Sequence, residues 1–348
     1  MAAKLKDVAE RAGVSIATVS LIINNKARAS SKTIAAVERA MKELNYTPKR
    51  RKSKSRGRSM KPDANGLMGD VLITFKSEGG RFWRTPLYSD FVHGVESELT
   101  KRGMRTVLYK ISKESGEIDY GITESVRGCI APGYQAYADR MSRSFKRLPT
   151  IPVFGMPVPG VDHINADSEE VGRLAAEFFL EHGHRHAAFI VDTAHPVYVQ
   201  RHDAFIKVFE AGGGRVMTLE GHNFHGHARF GNPESERILS SLARQFAEAK
   251  DRPTAFMSPA DALTARLNAE WRRQGKDVMK QVAFVTCNNE PEYLEQLDIK
   301  PTVIDIHAEE IGARAVNALL YRIEHPDAPP VRIRIAPTLI PGDLPKVK

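Results

Sequence analysis

Short apolar runs alternate along most of the chain with longer stretches whose apolar positions recur every three or four residues. The runs Asp70–Phe75, Arg105–Tyr109, Arg127–Ala131, Ile151–Phe154, Ala187–Val191, Val216–Glu220, Ala255–Ser258, Val282–Thr286, Thr302–Ile306 and Arg332–Ala336 predict strands. The stretches Tyr88–Arg102, Glu169–His182, Gln200–Ala211, Asn232–Ala249, Asp261–Gln274 and Ala308–Glu324 predict amphipathic helices. Strand–helix alternation implies parallel sheets covered by helices, an α/β fold. Over residues 67–345 the length calls for two such sheets with a cleft between them. In open sheets of this kind, ligands bind beyond the carboxyl ends of the strands.

The first 47 residues follow a different rule. Leu5, Val8, Ala9 and Ala12 form one helical stripe, Gly13 stops it, and Ser15 caps a second short helix, Ile16–Ile23. A third helix opens near Ser30, with Ile34, Val37, Met41 and Leu44 as its stripe, and ends at Tyr46 and Pro48. Two short helices joined by a Gly-containing turn make a helix-turn-helix, an all-α headpiece ahead of the α/β body. A generic three-helix bundle has the same pattern, and charge separates the two readings. Residues 1–61 hold 16 Lys+Arg against 4 Asp+Glu, whereas the rest of the chain is slightly acidic. Thr47–Pro62 alone has eight Lys or Arg and no acid. Such asymmetry points to a polyanion, with double-stranded DNA foremost. The expected organisation is a headpiece over 1–47, a basic linker over 48–66 and a ligand-binding core over 67–345.

The rest of the composition narrows the class. No run approaches the length of a membrane span, and the charged N-terminus does not read as a signal peptide. Cys129 and Cys287 each lie in an apolar run and read as buried free thiols in a reducing cytoplasm.

LKDVAERAGVSIATVSLIINN and TIAAVERAMKELNYTP resemble the headpiece of the LacI/GalR family of bacterial transcription regulators. TPLYSDFVHGVESELTKRG, INADSEEVGRLAAEFFLEHGHRHAAFI, RHDAF and KPTVIDIHAEEIGARAVNALLYRIE resemble segments of the family's core, which is like the periplasmic sugar-binding fold. The resemblance implies a regulator, most often a repressor. It would bind a pseudo-palindromic operator as a homodimer, with a sugar or sugar-acid effector in the cleft and no cofactor. It implies that Ile16 and Ala17 read base edges and that Ser15, Thr18, Ser20 and Asn24 hold phosphates, with Leu5, Asn25 and Ser30 also on DNA. From their charge, Lys49, Arg50, Arg51 and Lys52 of the linker are expected on the phosphates as well. Leu21 stands where the family usually has Arg, so the operator preference is expected to differ. In the linker, Lys52 and Ser55 replace the usual Ala and wedging Leu, so charge is expected to substitute for a minor-groove wedge.

In the core, the resemblance assigns effector contacts to Phe82, Trp83, Arg84, Tyr88, Arg201, Asp261 and Asn288. Asn288 and Asn289 replace an acidic pair, and Ala260 replaces an Asn. With Arg81, Arg84 and Arg201 retained, the expectation is a positively tilted pocket suited to an acid-bearing ligand. The fold would place three crossings between lobes near His163, Asn289–Pro291 and Tyr321–His325. The first lobe would then be 67–162 plus 291–321, and the second 163–290 plus 322–345. The short, glycine-containing segment between Lys110 and Arg127 reads as a trimmed helix.

Other chemistries find little support. His222, His225 and His227 lack cysteine or carboxylate partners at ligand spacing, so no metal site is expected. AGGGR at 211–215 follows a helix, whereas a phosphate-binding loop precedes one. No nucleophile elbow or catalytic triad order appears, which argues against an enzyme. A solute-transport protein is disfavoured by the headpiece. An effector-independent, sequence-tolerant DNA binder is the remaining alternative.

Overall fold

The computed structural model describes residues 5–23, 31–44, 46, 69–76, 85–111, 118, 120–133, 148–224 and 232–344. The chain divides into two compact units, Met1–Arg56 and Gly57–Lys348.

The first unit holds α1 (Leu5–Ala12), α2 (Ile16–Ile23) and α3 (Ser31–Glu43). Gly13 sits at φ 65°, and the Val14 N–H reaches back to the Ala9 carbonyl at 3.0 Å. That left-handed stop ends α1 and turns the chain into α2. Val8, Ala9, Val19, Val37 and Ala40 form a small core, with Leu5, Ile22, Met41 and Leu44 packed at its edge. Each fully buried valine contributes about 1.5–3 kcal/mol. The exposed Arg11–Glu43 pair, 2.7 Å apart, adds at most about 1 kcal/mol.

The second unit contains two six-stranded sheets. The first is built from β1 (Asp70–Lys76), β2 (Arg105–Ile111), β3 (Gly128–Pro132), β4 (Thr150–Val153), β5 (His163–Ala166) and β11 (Arg332–Ile335), in the order β11-β5-β4-β3-β1-β2, all parallel. The second uses β6 (His186–Asp192), β7 (Arg215–Gly221), β8 (Ala255–Met257), β9 (Ala283–Cys287), β10 (Thr302–Asp305) and β12 (Thr338–Ile340), in the order β12-β10-β9-β8-β6-β7. Only β12 runs antiparallel, against β10. The ten strands expected from the sequence are present, and β5 and β12 are additional.

α4 (Pro86–Thr100) and α11 (Ala308–Glu324) belong with the first sheet, and Ile122 of α5 (Tyr120–Ser125) packs against Leu72 and Cys129 in it. α6 (Ser168–Glu181), α7 (Pro196–Ala211), α8 (Pro233–Ala247), α9 (Asp261–Arg273) and the short α10 (Pro291–Leu294) belong with the second. α4 crosses α11 where Gly94 meets the Glu309 carbonyl and Gly312 meets the Phe91 carbonyl. Aromatic packing dominates the second lobe: Phe256 stacks on Phe284 with centroids 4.8 Å apart, and Trp271 closes on both edge-on.

The chain crosses between lobes three times, but later than expected at each point. β5 pairs with β4 and β11, so the first crossing falls at Asp167 and not at His163. β10 pairs with β9, so the loop at Asn289–Pro291 stays in the second lobe and the return is at Ile306–His307. β11 belongs to the first sheet and β12 to the second, so the last crossing is Ala336–Pro337 and not Tyr321–His325. His-Ile-Asn-Ala holds a single large apolar residue, too little pattern to be seen as a strand. Among the described residues no helix is long and apolar enough to cross a membrane.

Candidate functional site

On the headpiece, Ser15 Oγ accepts the Thr18 N–H at 3.0 Å, and the two hydroxyls lie 2.8 Å apart. This cap fixes where α2 begins. It leaves Ile16 47% exposed on the first turn of α2. Thr18 and Ser20 are half-buried, and Leu5 packs at the core's edge. The side chains of Ala17 and Leu21, and all of Asn24, Asn25, Ser30, Lys49, Arg50, Arg51 and Lys52, lie outside the described residues.

Both sheets of the second unit have the doubly wound order, second strand outermost and first strand beside third. Their switch points therefore lie at the carboxyl ends of β1 and β3 in one lobe and β6 and β8 in the other. At the first, a cavity is lined by Phe75, Tyr88, Phe91, Val92, Leu108 and Pro132. Tyr88 and Phe91 both meet Phe154 edge-on, at 5.5 and 5.3 Å. Phe82, Trp83 and Arg84 lie outside the described residues.

At the second switch point, Arg201 is buried on α7. Its Nη1 donates to the Pro259 carbonyl at 2.5 Å, and its guanidinium lies 5.8 Å from the Tyr198 ring centroid. Its Nε is buried without a hydrogen-bond partner among the described residues. Asp192 shapes the neighbouring loops by accepting the backbone N–H groups of Ala194, Asn223 and Phe224.

Asp261 is fully buried, and its carboxylate accepts from the Thr286 hydroxyl at 2.6 Å and the Glu290 N–H at 2.8 Å. Burial pushes its carboxyl up to about 8 despite those two bonds. It braces the β9–α10 loop. In that loop Asn288 (φ 114°) and Asn289 (φ 66°) are both left-handed. Asn288 Nδ2 donates to Glu290 at 2.9 Å, and Asn289 Nδ2 to Asp305 at 3.1 Å.

Arg81 and Arg84, two of the three arginines behind the expected positive tilt, lie outside the described residues. Burial pushes the Tyr198 hydroxyl and the Cys287 thiol up; at both, the Arg201 guanidinium opposes that rise and Glu290 adds to it. Two residues beyond Asn288 lies the buried Glu290, whose carboxyl burial pushes up.

Residues 4–49 match the family model described as bacterial regulatory proteins of the lacI family, and residues 164–343 match a periplasmic binding protein-like domain. The chain belongs to the LacI family. It is 26% identical to the HTH-type transcriptional repressor PurR of Mannheimia succiniciproducens over 97% of each chain. It is 31% identical to the sucrose operon repressor of Streptococcus mutans, over 94% of this chain and 95% of that one. The solved structure of a transcriptional regulator CelR–cellobiose complex superposes with a TM-score of 0.64 at 22% identity, covering 98% of this chain and 99% of that one. These curated relatives are repressors, not enzymes. As a LacI-family protein, the chain is a DNA-binding transcription regulator with a periplasmic-binding-protein-like core.

Proposed function

We propose that this LacI-family chain is a ligand-responsive repressor that binds a pseudo-palindromic operator as a homodimer and holds a small sugar-like effector between its lobes. One headpiece per half-site would match dimer symmetry to operator symmetry. Arg201 carries the effector half of the reading. A buried guanidinium N–H without an acceptor costs about 1–3 kcal/mol, and a ligand oxygen at the cleft would remove that cost. Sucrose and cellobiose in the names of similar proteins support a sugar-like class. Exposed Ile16 supports thymine-methyl contact in the major groove, which suits a chain without the family's usual Arg at Leu21.

Effector control requires the ligand to bind the DNA-competent and DNA-incompetent states differently. Arg201→Ala is expected to leave operator affinity within about twofold while removing the ligand response. Fluorescence anisotropy on labelled operator, titrated with candidate sugars, reads both. An intact ligand response in Arg201→Ala would contradict the placement of the effector.

A further inference from the structure

Glu290 joins the two lobes. It precedes α10 on the second lobe and is 2% exposed. Its Oε1 accepts the Leu87 N–H at 3.1 Å, in the first turn of α4 on the first lobe. Its Oε2 accepts from Asn288 Nδ2 at 2.9 Å, and its own N–H is held by Asp261.

Three observations separate this contact from incidental packing. Thr85, the N-cap of α4, makes no side-chain cap bond, so Glu290 supplies from the opposite lobe an acceptor that the helix lacks locally. The two left-handed asparagines hold Glu290 in place through backbone conformations that non-glycine residues seldom adopt. Across the same site, the buried and unpartnered Nε of Arg201 has no acceptor among the described residues. A carboxylate oxygen accepts about two hydrogen bonds, so each oxygen of Glu290 keeps capacity after serving Leu87 and Asn288.

We propose that Glu290 is the cross-lobe tie and the specificity residue of the cleft: it holds α4 to the second lobe without ligand, and selects neutral, hydroxyl-rich ligands over acids. This deepens the effector reading above and rests on it. A ligand hydroxyl donating to a carboxylate makes a charge-assisted bond. A ligand carboxylate would instead face a like charge in a poorly hydrated cleft, where repulsion is strong. The Arg201 guanidinium already donates to the Pro259 carbonyl, and its unpartnered Nε–H can be satisfied by a neutral ligand oxygen as well as by a carboxylate.

Two measurements on the full-length protein test the proposal. Hydrogen exchange without ligand follows the Leu87 amide. Glu290→Ala is expected to lower its protection by about tenfold, while Glu290→Gln, which keeps an acceptor oxygen, largely retains it. Unchanged protection of the α6 and α11 amides shows that the variants are folded. Unaltered Leu87 protection in Glu290→Ala would overturn the tie. Isothermal titration then compares D-ribose, D-glucose and cellobiose with D-gluconate and D-galacturonate. Wild type is expected to bind at least one neutral probe and to bind acids at least tenfold more weakly, with Glu290→Gln narrowing that gap. Equal or tighter binding of acids, or an unaltered gap in Glu290→Gln, would overturn the specificity claim. No binding by any probe, with Arg201→Ala indistinguishable from wild type, would overturn the effector reading itself, and the exchange result would still decide the tie.

Discussion

Asp261 and His163 are both buried titratable groups, and their effects on stability have opposite signs. Burial pushes the Asp261 carboxyl up to about 8, so the folded chain keeps a proton that the unfolded chain has already lost. Its contribution is therefore fully present below the usual carboxylate range and is lost as pH rises toward 8. Burial pushes His163 down to about 4, so below about 6.5 the unfolded chain takes up a proton that the folded chain refuses. That contribution is present above about 6.5 and is lost as pH falls toward 4. Urea denaturation between pH 4 and 9 is expected to show Asp261→Asn removing a fall in stability that spans about pH 4 to 8, by up to about 1.4 kcal/mol per pH unit. A variant with the same pH profile as wild type would contradict the assignment. On the headpiece, Ser15→Ala removes the cap on Thr18 and is expected to cost about 1 kcal/mol, read as a lower headpiece melting temperature. The family resemblance singled out Arg201, Asp261 and Asn288 by their positions in the sequence. It did not give direction: Asp261 turns inward to Thr286, and Glu290 matters only because the Asn288–Asn289 loop carries it to α4.

Among the elements, α4 and α11 are locked by close backbone approach. A Cβ on Gly94 would collide with the Glu309 carbonyl, and one on Gly312 with the Phe91 carbonyl. Backbone atoms cannot swing aside as side-chain ends do, so Gly94→Ala is expected to destabilise the core by about 1–3 kcal/mol or more, measured by denaturant unfolding. Gly172 plays the same part between α6 and α7, against the Arg201 carbonyl. Substitution there would also be expected to shift Arg201 and weaken any ligand it holds. The long elements were legible because their apolar spacing repeats over several turns or strand residues. β5 and β12 were not: His-Ile-Asn-Ala and Thr-Leu-Ile lack the apolar run of β8 or the strict alternation of β11 that mark strands of the same length. The crossings followed the same logic. Once β5 is seen to pair with β11, Asp167 becomes the crossing, and its side chain also caps α6 by accepting the Glu170 N–H at 3.2 Å.

At the scale of the whole molecule, the surplus of positive charge lies in residues 1–61 and the rest of the chain carries 35 Lys+Arg against 38 Asp+Glu. DNA affinity that rests on this charge releases counterions and falls steeply with salt. Replacing Lys49–Lys54 by neutral residues is expected to reduce the salt slope by about one unit for each phosphate that is no longer neutralised. An unchanged slope would assign the electrostatics to the headpiece alone. The central claim is that one chain couples sequence-selective DNA binding to a ligand between the lobes. Selection of binding sites from random duplex DNA, run on full-length protein with and without a pool of neutral sugars, tests both halves at once. The expected result is enrichment of a two-fold-symmetric site whose recovery changes when the pool is present. A flat sequence preference, identical in both arms, would contradict it.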